Sequence, residues 1–288
     1  MVDFGVSSMV APLREVLVHQ PGSAFAAAFD EPAHGYRHPV DVDLARKEHA
    51  AFVELLESLH VNVHLLGDEV SGPDAIYQYD PSLVTRRGAI LLRSGKSTRR
   101  GEEDVQAEWY QQNGIPIVGR IEAPGTVDGG DAFWLDEKTL CVGRTLRTNN
   151  AGIEQLTALV DETVHVFDMP YDAGPEECLH LLSVISPVSE RLAVAELERL
   201  PVGLYQLCVD RGVELIPIPS GEIGSLGCNV LAVRPDVVVI LEGNPETRRL
   251  LEARGVEVHT FSGQEICLNG SGGPTCLTRP IHRGKSRG

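Results

Sequence analysis

The sequence predicts an α/β protein in which five similar units close into a ring. Three observations lead to this prediction. The order strand, strand, helix, strand recurs along the 288 residues. Equivalent markers at Leu83, Asp128, His180 and Asn229 are separated by 45, 52 and 49 residues. The chain ends in one further strand-like segment, CLTRPIHR, whereas the first unit lacks its first strand. A supersecondary unit that repeats near this period is typical of a solenoid, a propeller or a ring.

Closure into a ring is favoured because a solenoid needs capping repeats at its two ends. Here the last segment of the chain would instead complete the first unit. We therefore expect a five-fold pseudosymmetric β/α-propeller around a central cavity, built as one catalytic domain over residues 1–288 with 283–288 as a frayed tail. The alternative is a pair of ordinary α/β domains.

The elements of each unit follow from the spacing of apolar residues. Short apolar runs or alternation mark the strands, and a spacing of three to four residues marks the helices. Asn244-Pro245 is typical of a helix start and Arg254-Gly255 of a helix end. Each unit has a strand-rich segment, then a helical segment, then a final strand. These three segments are 13–22, 41–60 and 61–66 in the first unit; 82–93, 101–114 and 115–121 in the second; 127–145, 149–160 and 164–169 in the third; 181–195, 203–212 and 213–219 in the fourth; and 229–243, 244–255 and 256–261 in the fifth.

The overall composition excludes several classes of function. A formal net charge of −16 argues against a nucleic-acid surface, because phosphate binding needs clustered Lys and Arg. No apolar stretch approaches the length of a membrane span, and the sequence does not start with a basic and then apolar leader. We therefore expect a cytoplasmic protein that has neither nucleic acid nor membrane as a partner.

The cysteines and histidines give no sign of a metal or a disulfide framework. The six cysteines show no CxxC spacing, so free thiols are expected. The only close histidine pair, His34 and His38, lies in a Gly/Pro-rich loop, and we expect neither a metal nor another cofactor. That loop, 29–39, adjoins one end of the expected ring and is a candidate lid.

Cys276 is the candidate nucleophile, since it follows a tight turn, GGPT, whose glycines and proline fix the backbone and display the next side chain. A thiol needs a base or a positive neighbour to react near neutral pH. His180 is the candidate base, and Asp128 is the carboxylate that would orient it. Each residue also has a structural alternative: a buried small hydrophobe for Cys276, a core histidine for His180 and a turn for Asp128 with Asp131.

The positions of these residues in the repeat favour a shared site. One polar group stands at the opening of each expected unit, and in a closed ring these strand beginnings face the central cavity. In chain order the groups are Asp80, Asp128 with Asp131, His180, Asn229 and, completing the first unit, Cys276. Reactive side chains at equivalent places of a repeat are better explained by one site than by separate structural roles.

Three motifs resemble those of the guanidine-modifying superfamily with the pentein β/α-propeller fold, which includes arginine deiminases, dimethylarginine dimethylaminohydrolases, agmatine deiminases and amidinotransferases. They are GGPTC at 272–276, VDGGD at 127–131 and LHL at 179–181, and the similarity covers nearly the full chain. The resemblance implies metal-free hydrolysis of a C–N bond of a guanidino substrate, either arginine or an N-methylated arginine. The products would be a ureido compound such as citrulline and ammonia or an alkylamine.

The resemblance also implies roles for individual residues. Cys276 would attack the guanidinium carbon to form a thiouronium intermediate, with His180 as general acid and base and a carboxylate from the Asp128 segment. Asp80 would hold the guanidinium, and arginines would hold the substrate carboxylate, which suits their paired hydrogen bonds. The implied substrate-binding set is Asp80, Asp131, Arg99, Arg100, Arg147 and Asn229.

Two positions depart from the family pattern and bear on the substrate. Leu182 stands where arginine deiminases and many amidinotransferases carry an aspartate, and Tyr79 stands where the dimethylargininase branch has a glutamate. Leu182 and Tyr79 are bulkier and less charged than the carboxylates at these positions, which favours a substituted guanidine. The dimethylargininase-like reaction is therefore preferred to arginine deimination. The GGP before Cys276, however, looks more like arginine deiminases. Amidino transfer to an amine, and a ring used only for binding like that of a ribosome-binding translation initiation factor, are the alternatives. A homodimer is an expected assembly.

Overall fold

The computed structural model describes residues 2–67, 72–175 and 179–284. Within these residues the strands form five three-stranded sheets, and each sheet follows one predicted unit. The strands are β1 Leu13–His19, β2 Asn62–Leu66, β3 Ser82–Thr85, β4 Gly88–Leu91, β5 Ile117–Arg120, β6 Ala132–Asp136, β7 Thr139–Arg144, β8 Thr163–Asp168, β9 Ile185–Ser189, β10 Leu192–Ala195, β11 Glu214–Pro217, β12 Leu231–Arg234, β13 Val237–Leu241, β14 Glu257–Phe261 and β15 Arg279–Arg283.

Helices connect the second strand of each sheet to the third. They are α2 Val42–Ser58, α3 Glu102–Gln112, α4 Asn150–Leu159, α5 Val202–Asp210 and α6 Pro245–Glu252, after a short α1 at Ser23–Ala26. In four sheets the first two strands along the chain are antiparallel and the second and third are parallel, as a helical crossover requires. The first sheet has the same pattern with β15 in the place of its first strand. The predicted order of elements is therefore confirmed.

The last strand closes the structure on the first. β15 pairs antiparallel with β1, with Val16 opposite Pro280 and Leu17 opposite Arg279, and β1 pairs in parallel with β2. Gly5 extends this closure, because its N–H donates to the carbonyl of Ile281 at 2.8 Å. The prediction that the carboxy-terminal segment completes the first unit is confirmed.

Burial divides each sheet into an inner and an outer part. The first two strands are largely buried, as in β3 and β4, where every residue is buried. The third strands are partly exposed, as in β5. First strands of different sheets also pack together, β9 against β12 and β15 against β3. The loops that precede these inner strands are therefore brought to one place.

The sequence predicted a frayed tail from residue 283 onward, but residues 283 and 284 are held by the rest of the protein. Arg283 is buried, it is the last residue of β15, and its guanidinium donates to the carbonyl of Ala11 at 2.8 Å. Gly284 also donates to the carbonyl of Pro12 at 2.8 Å. The rest of the predicted tail, 285–288, and the cysteine at position 178 lie outside the described residues. In the described part of the chain the other five cysteines are free thiols, and no helix is long and apolar enough to cross a membrane.

His49, in α2, makes stability depend on pH. Its side chain is 3% exposed, and burial, together with the nearby His19, lowers its pKa to about 4. Because an unfolded histidine titrates near 6.5, the unfolded chain takes up the proton first as the pH falls. The stability that comes from keeping His49 neutral is present above pH 6.5 and is lost between about pH 6.5 and pH 4.

As the pH falls, the free energy of unfolding should decrease less in His49→Leu than in the parent, by up to about 3 kcal/mol. The reason is that each unit of pKa shift is worth about 1.4 kcal/mol. The measurement is the free energy of unfolding by urea from pH 7.5 to pH 4.5 for the variant and the parent. His165→Gln, on the outer strand β8, serves as the control and should keep the parental slope. An unchanged slope in His49→Leu would show that another group controls acid unfolding.

Candidate active site

The loops before the first strands bring the predicted polar residues to one cavity of about 580 Å³. Asp80, His180, Asn229 and Cys276 line it, and each belongs to a different sheet. Asp128 lies directly behind this lining, fully buried. Each of these residues precedes the first strand of its sheet by two to five positions, as the repeat predicted.

Cys276 lies at the turn that leads into β15. Its side chain is half-buried, whereas Cys141, Cys208, Cys228 and Cys267 are buried. Burial raises the pKa of the Cys276 thiol, and the Asp80 carboxylate adds to this increase. The hydrogen bond from Asn229, the backbone at Gly273 and the charge of His180 act in the opposite direction. The resting site therefore holds a thiol that needs positive charge nearby to ionise.

Asn229 positions this turn, although the sequence assigned it to substrate binding. Its Nδ2 donates to the Cys276 sulfur at 3.3 Å, and its Oδ1 accepts from the Thr275 N–H at 3.0 Å. The turn lies so close to Asn229 that a Cβ on Gly273 would be 2.4 Å from the Asn229 side chain. Both ends of the Asn229 amide thus hold the turn at residues 275–276, and the close approach explains why position 273 is glycine.

His180 and Asp128 form the predicted imidazole–carboxylate pair. His180 Nε2 lies 3.3 Å from Asp128 Oδ2, and its Nδ1 lies 3.9 Å from Asp80 Oδ1. The imidazole therefore sits between two carboxylates, as a proton-shuttling group that must be held in one orientation requires. The side chain that pairs with His180 is Asp128 rather than Asp131.

Three neighbours stabilise the ionised form of Asp128. Burial alone would raise the pKa of this carboxyl, but the hydrogen bond and charge of His180 and the charge of Arg147 bring it well below its usual range. Arg147 Nη1 lies 3.4 Å from Asp128 Oδ2, and the Gly95 N–H donates to Oδ1 at 2.9 Å. Asp128 is thus a permanent negative charge behind the imidazole.

The two glycines between Asp128 and Asp131 form part of the wall of the cavity. The Gly130 N–H donates to Asp80 Oδ1 at 2.8 Å. A Cβ on Gly130 would lie 2.3 Å from His180 Nδ1, so only glycine lets the imidazole approach this closely. The segment is a turn, as one of the two interpretations predicted, and its role in a site stays a prediction.

Asp131 is not placed to bind a substrate, contrary to the sequence expectation. It is fully buried, and its carboxylate accepts from the hydroxyls of Thr145 and Thr148 at 2.7 and 2.6 Å and from the Leu181 N–H at 3.0 Å. Burial raises its pKa to about 6, despite His180 and the two hydroxyls, which lower it. Asp131 therefore ties the loop before β9 to the loop after β7.

Arg99 is also used within the protein. Its guanidinium contacts the carboxylates of Asp80 and Glu102, with 2.8 Å between Nη2 and Glu102 Oε2, and donates to the carbonyl of Tyr77 at 2.9 Å. Arg99 is 6% exposed, and its contacts hold Asp80 at the cavity wall. Arg100 is exposed and donates to the carbonyl of Ser94 at 3.1 Å, away from the cavity lining. Of the three arginines expected to bind substrate, Arg99 and Arg147 line the cavity and Arg100 does not.

Several lining residues were missed by the sequence analysis. Lys96 and Asp74 face the cavity as an ion pair 2.5 Å apart. The lining also includes the apolar residues Leu182, Ile223, Leu226 and Cys228, and the ion pair of Glu196 with Arg199. No repeat marker identifies these positions, because they lie in loops of unequal length.

The candidate lid contacts the segment that precedes Cys276. Pro32, His34 and Arg37 line the cavity, and the backbone of Arg37 and His38 donates to Asn269 Oδ1 at 2.9 and 3.1 Å. These bonds attach one end of loop 29–39 to the segment before Cys276. Movement of this loop stays a prediction.

Asp80, Asp128 and His180 offer ligand atoms within 4.8 Å of one another, a spacing that a metal ion could use. The same atoms are engaged by one another and by Arg99 and Arg147. Arginine is not a metal ligand, and its positive charges beside these carboxylates oppose a cation. We assign no metal to the site.

Comparisons with known proteins give a consistent picture. A family profile described as N,N dimethylarginine dimethylhydrolase, eukaryotic, matches residues 23–283. The N(G),N(G)-dimethylarginine dimethylaminohydrolase of Pseudomonas aeruginosa is 29% identical over 241 residues, or 83% of this chain and 89% of that one. An arginine deiminase of Clostridium perfringens is 24% identical over 256 residues, or 73% of this chain and 61% of that one.

The fold also matches that of a solved structure, the saxitoxin-pathway amidinotransferase SxtG of Microseira wollei. The TM-score is 0.80 at 19% identity, and the match covers 99% of this chain and 98% of that one. With the five closed sheets, this likeness identifies the architecture as the pentein β/α-propeller and confirms the predicted fold class.

Proposed function

Because the chain belongs to the eukaryotic N,N dimethylarginine dimethylhydrolase family, we propose that it hydrolyses the C–N bond of an arginine whose guanidine carries N-methyl groups. The family membership and the relatives make it a hydrolase that acts on amidino groups. The covalent route, the residues that carry it and the choice of substrate are our proposal. We also propose that the whole chain acts as one catalytic domain.

The observation that carries the proposal is the convergence of Cys276, His180 and Asp80 on one cavity from three different sheets. A thiol, an imidazole and a carboxylate are the groups that nucleophilic attack on a cationic guanidine requires. Asp80 is held by Arg99 and by the Gly130 N–H, so its position is fixed before the substrate arrives. The guanidinium would lie between Asp80 and the thiol.

The first step is addition of the Cys276 thiolate to the guanidinium carbon. The substrate's own positive charge favours ionisation of the thiol, whose pKa burial otherwise raises. The C–N bond to the methylated nitrogen then breaks, and that nitrogen leaves as dimethylamine after it takes a proton from His180. The carbon stays bound to sulfur as a thiouronium.

The second step is hydrolysis. His180, now neutral, accepts a proton from a water molecule, which attacks the thiouronium carbon. The C–S bond then breaks, the new hydroxyl releases its proton to solvent as the carbonyl forms, the thiolate is restored, and citrulline is released. Asp128 holds the imidazole in one orientation and stabilises its protonated form in both steps. His180 thus gives the proton to the leaving amine and takes a proton from the attacking water.

The apolar part of the cavity supports the choice of a methylated substrate. Leu182, Leu226 and Cys228 contribute alkyl and thiol surfaces to the lining of the cavity that His180 also lines. Methyl groups gain free energy when they are removed from water, whereas an unsubstituted NH₂ would lose hydrogen bonds there. Unmodified arginine is the second candidate, favoured by the likeness to the arginine deiminase of Clostridium perfringens.

The test is a substrate panel of arginine, N-monomethylarginine, asymmetric dimethylarginine, agmatine and guanidinopropionate, with the ureido product and the released amine both quantified. We expect the highest kcat/KM for a methylated arginine. Leu182→Asp should lower that value and raise the value for arginine, since a carboxylate would bind the free NH₂. Faster turnover of arginine than of both methylated forms would refute the proposed substrate.

A further inference from the structure

The strand that closes the ring, β15, carries two buried arginines. Arg279 at its start is 2% exposed, and Arg283 at its end is 7% exposed. Neither side chain lines the active-site cavity. A guanidinium keeps its charge at neutral pH, and a buried charge is costly unless an opposite charge compensates it. The partners of these two arginines therefore decide what this part of the ring can bind.

The partners that the protein supplies are neutral. Arg279 donates to the carbonyl of Ser82, and its Cζ lies 3.9 Å from the centre of the Tyr79 ring. Arg283 Nη1 donates to the carbonyl of Ala11 at 2.8 Å. The Nε atom of each arginine is buried without a hydrogen-bond partner. In the described part of the chain neither arginine forms an ion pair, although the sequence contains 41 Asp and Glu residues.

The two charges lie near each other around Tyr79. Arg279 stacks on the Tyr79 ring, and the Tyr79 hydroxyl donates to the Met9 sulfur at 3.5 Å, two residues before the Ala11 carbonyl that Arg283 contacts. Both arginines act to lower the pKa of the Tyr79 hydroxyl, which burial raises. Burial and the charge of Arg279 lower the pKa of Arg283 to about 10, although Tyr79 acts in the opposite direction. Two like charges therefore stand together in the interior at neutral pH.

From this arrangement we infer that a small monovalent anion, chloride or a halide of similar size, binds between Arg279 and Arg283 beside Tyr79 and stabilises the closed ring. The anion supplies the negative charge that the neutral partners lack. Both side chains are more than nine-tenths buried, so a halide suits this position better than phosphate or a carboxylate, which are larger. Because the two arginines are the ends of β15, the anion connects both ends of the closing strand.

A purely structural role of the arginines gives a different expectation. An aromatic face attracts a cation, and carbonyl oxygens accept its hydrogen bonds. If Tyr79 and the two carbonyls were sufficient, the stability of the protein would not depend on which anion is present. A dependence on halide at fixed ionic strength therefore separates the two roles. Neither role depends on the substrate of the enzyme.

The experiment measures the melting temperature of the full chain as potassium chloride replaces potassium gluconate, up to about 300 mM at constant ionic strength. Gluconate is too large for the buried position. For a dissociation constant of about 10 mM, we expect chloride to raise the melting temperature by roughly 3 °C. Arg283→Met should abolish this increase. Arg191→Met, at an exposed arginine in the turn between β9 and β10, should keep it.

Bromide in crystals of the parent protein tests the position directly and requires no variant to fold. We expect an anomalous peak within hydrogen-bonding distance of guanidinium nitrogens of both Arg279 and Arg283. The absence of such a peak would overturn the inference, as would an equal chloride response in Arg283→Met. A bromide peak in a protein whose melting temperature is the same in both salts would mean an adventitious ion only, and would overturn it as well.

Discussion

Replacing Cys276 by serine is expected to lower kcat for the best guanidino substrate by roughly three orders of magnitude or more, as removal of a catalytic nucleophile does. A serine hydroxyl has no comparable anionic form near neutral pH. The side chain is nearly isosteric, so the Asn229 contact and the turn should persist. Binding of the substrate should therefore change far less than turnover.

Cys208→Ala is the matched control for this substitution. Cys208 lies in α5, where it is buried and outside the cavity lining. Its replacement should leave kcat close to the parental value. The measurement is the steady-state rate of ureido product formation. Turnover in Cys276→Ser at the parental rate would rule out covalent catalysis by this residue.

Arg99→Met is expected to lower the free energy of unfolding by about 3–5 kcal/mol, because it leaves buried carboxylates without their partner. Arg99, Asp80 and Glu102 are all more than nine-tenths buried. Burial already raises the pKa of Glu102 to about 7 although Arg99 lowers it. Without the guanidinium, Glu102 should take up a proton and Asp80 should lose its fixed position.

Arg100→Met provides the control from the adjacent residue. Arg100 is exposed and contacts a carbonyl, so the change in unfolding free energy should stay within about 0.5 kcal/mol. Urea unfolding at pH 7 measures both variants. Equal effects at the two positions would mean that the buried cluster contributes nothing specific to stability.

The ring and its closing strand could be predicted because they depend on repetition. Apolar spacing identified the strands and helices of all five units, and the unpaired last segment matched the missing first strand. The same repeat placed Cys276, His180 and Asp128 together, because each precedes the first strand of its sheet. The elements follow from the spacing of apolar residues, and the ring follows because pairing the last segment with the first unit leaves no unit incomplete.

The partners of the charged residues could not be predicted in the same way. Asp128 and Asp131 are three residues apart, and the 3-10 turn between them points their side chains in different directions. Asp128 contacts His180, whereas Asp131 contacts Thr145 and Thr148. Arg99 meets Asp80 only because two loops of unequal length converge. Such contacts depend on side-chain direction in irregular segments, for which the sequence carries no periodic signal.

The central claim is that Cys276 becomes covalently bound to the carbon of the guanidine during turnover. Rapid acid quench of the enzyme with asymmetric dimethylarginine, followed by mass spectrometry of the intact protein and its peptides, tests it most directly. We predict an adduct on the Cys276 peptide with the mass of the substrate less dimethylamine, present before the steady state and absent in Cys276→Ser. Product that accumulates with no adduct at any time, or an adduct on another cysteine, would contradict the claim.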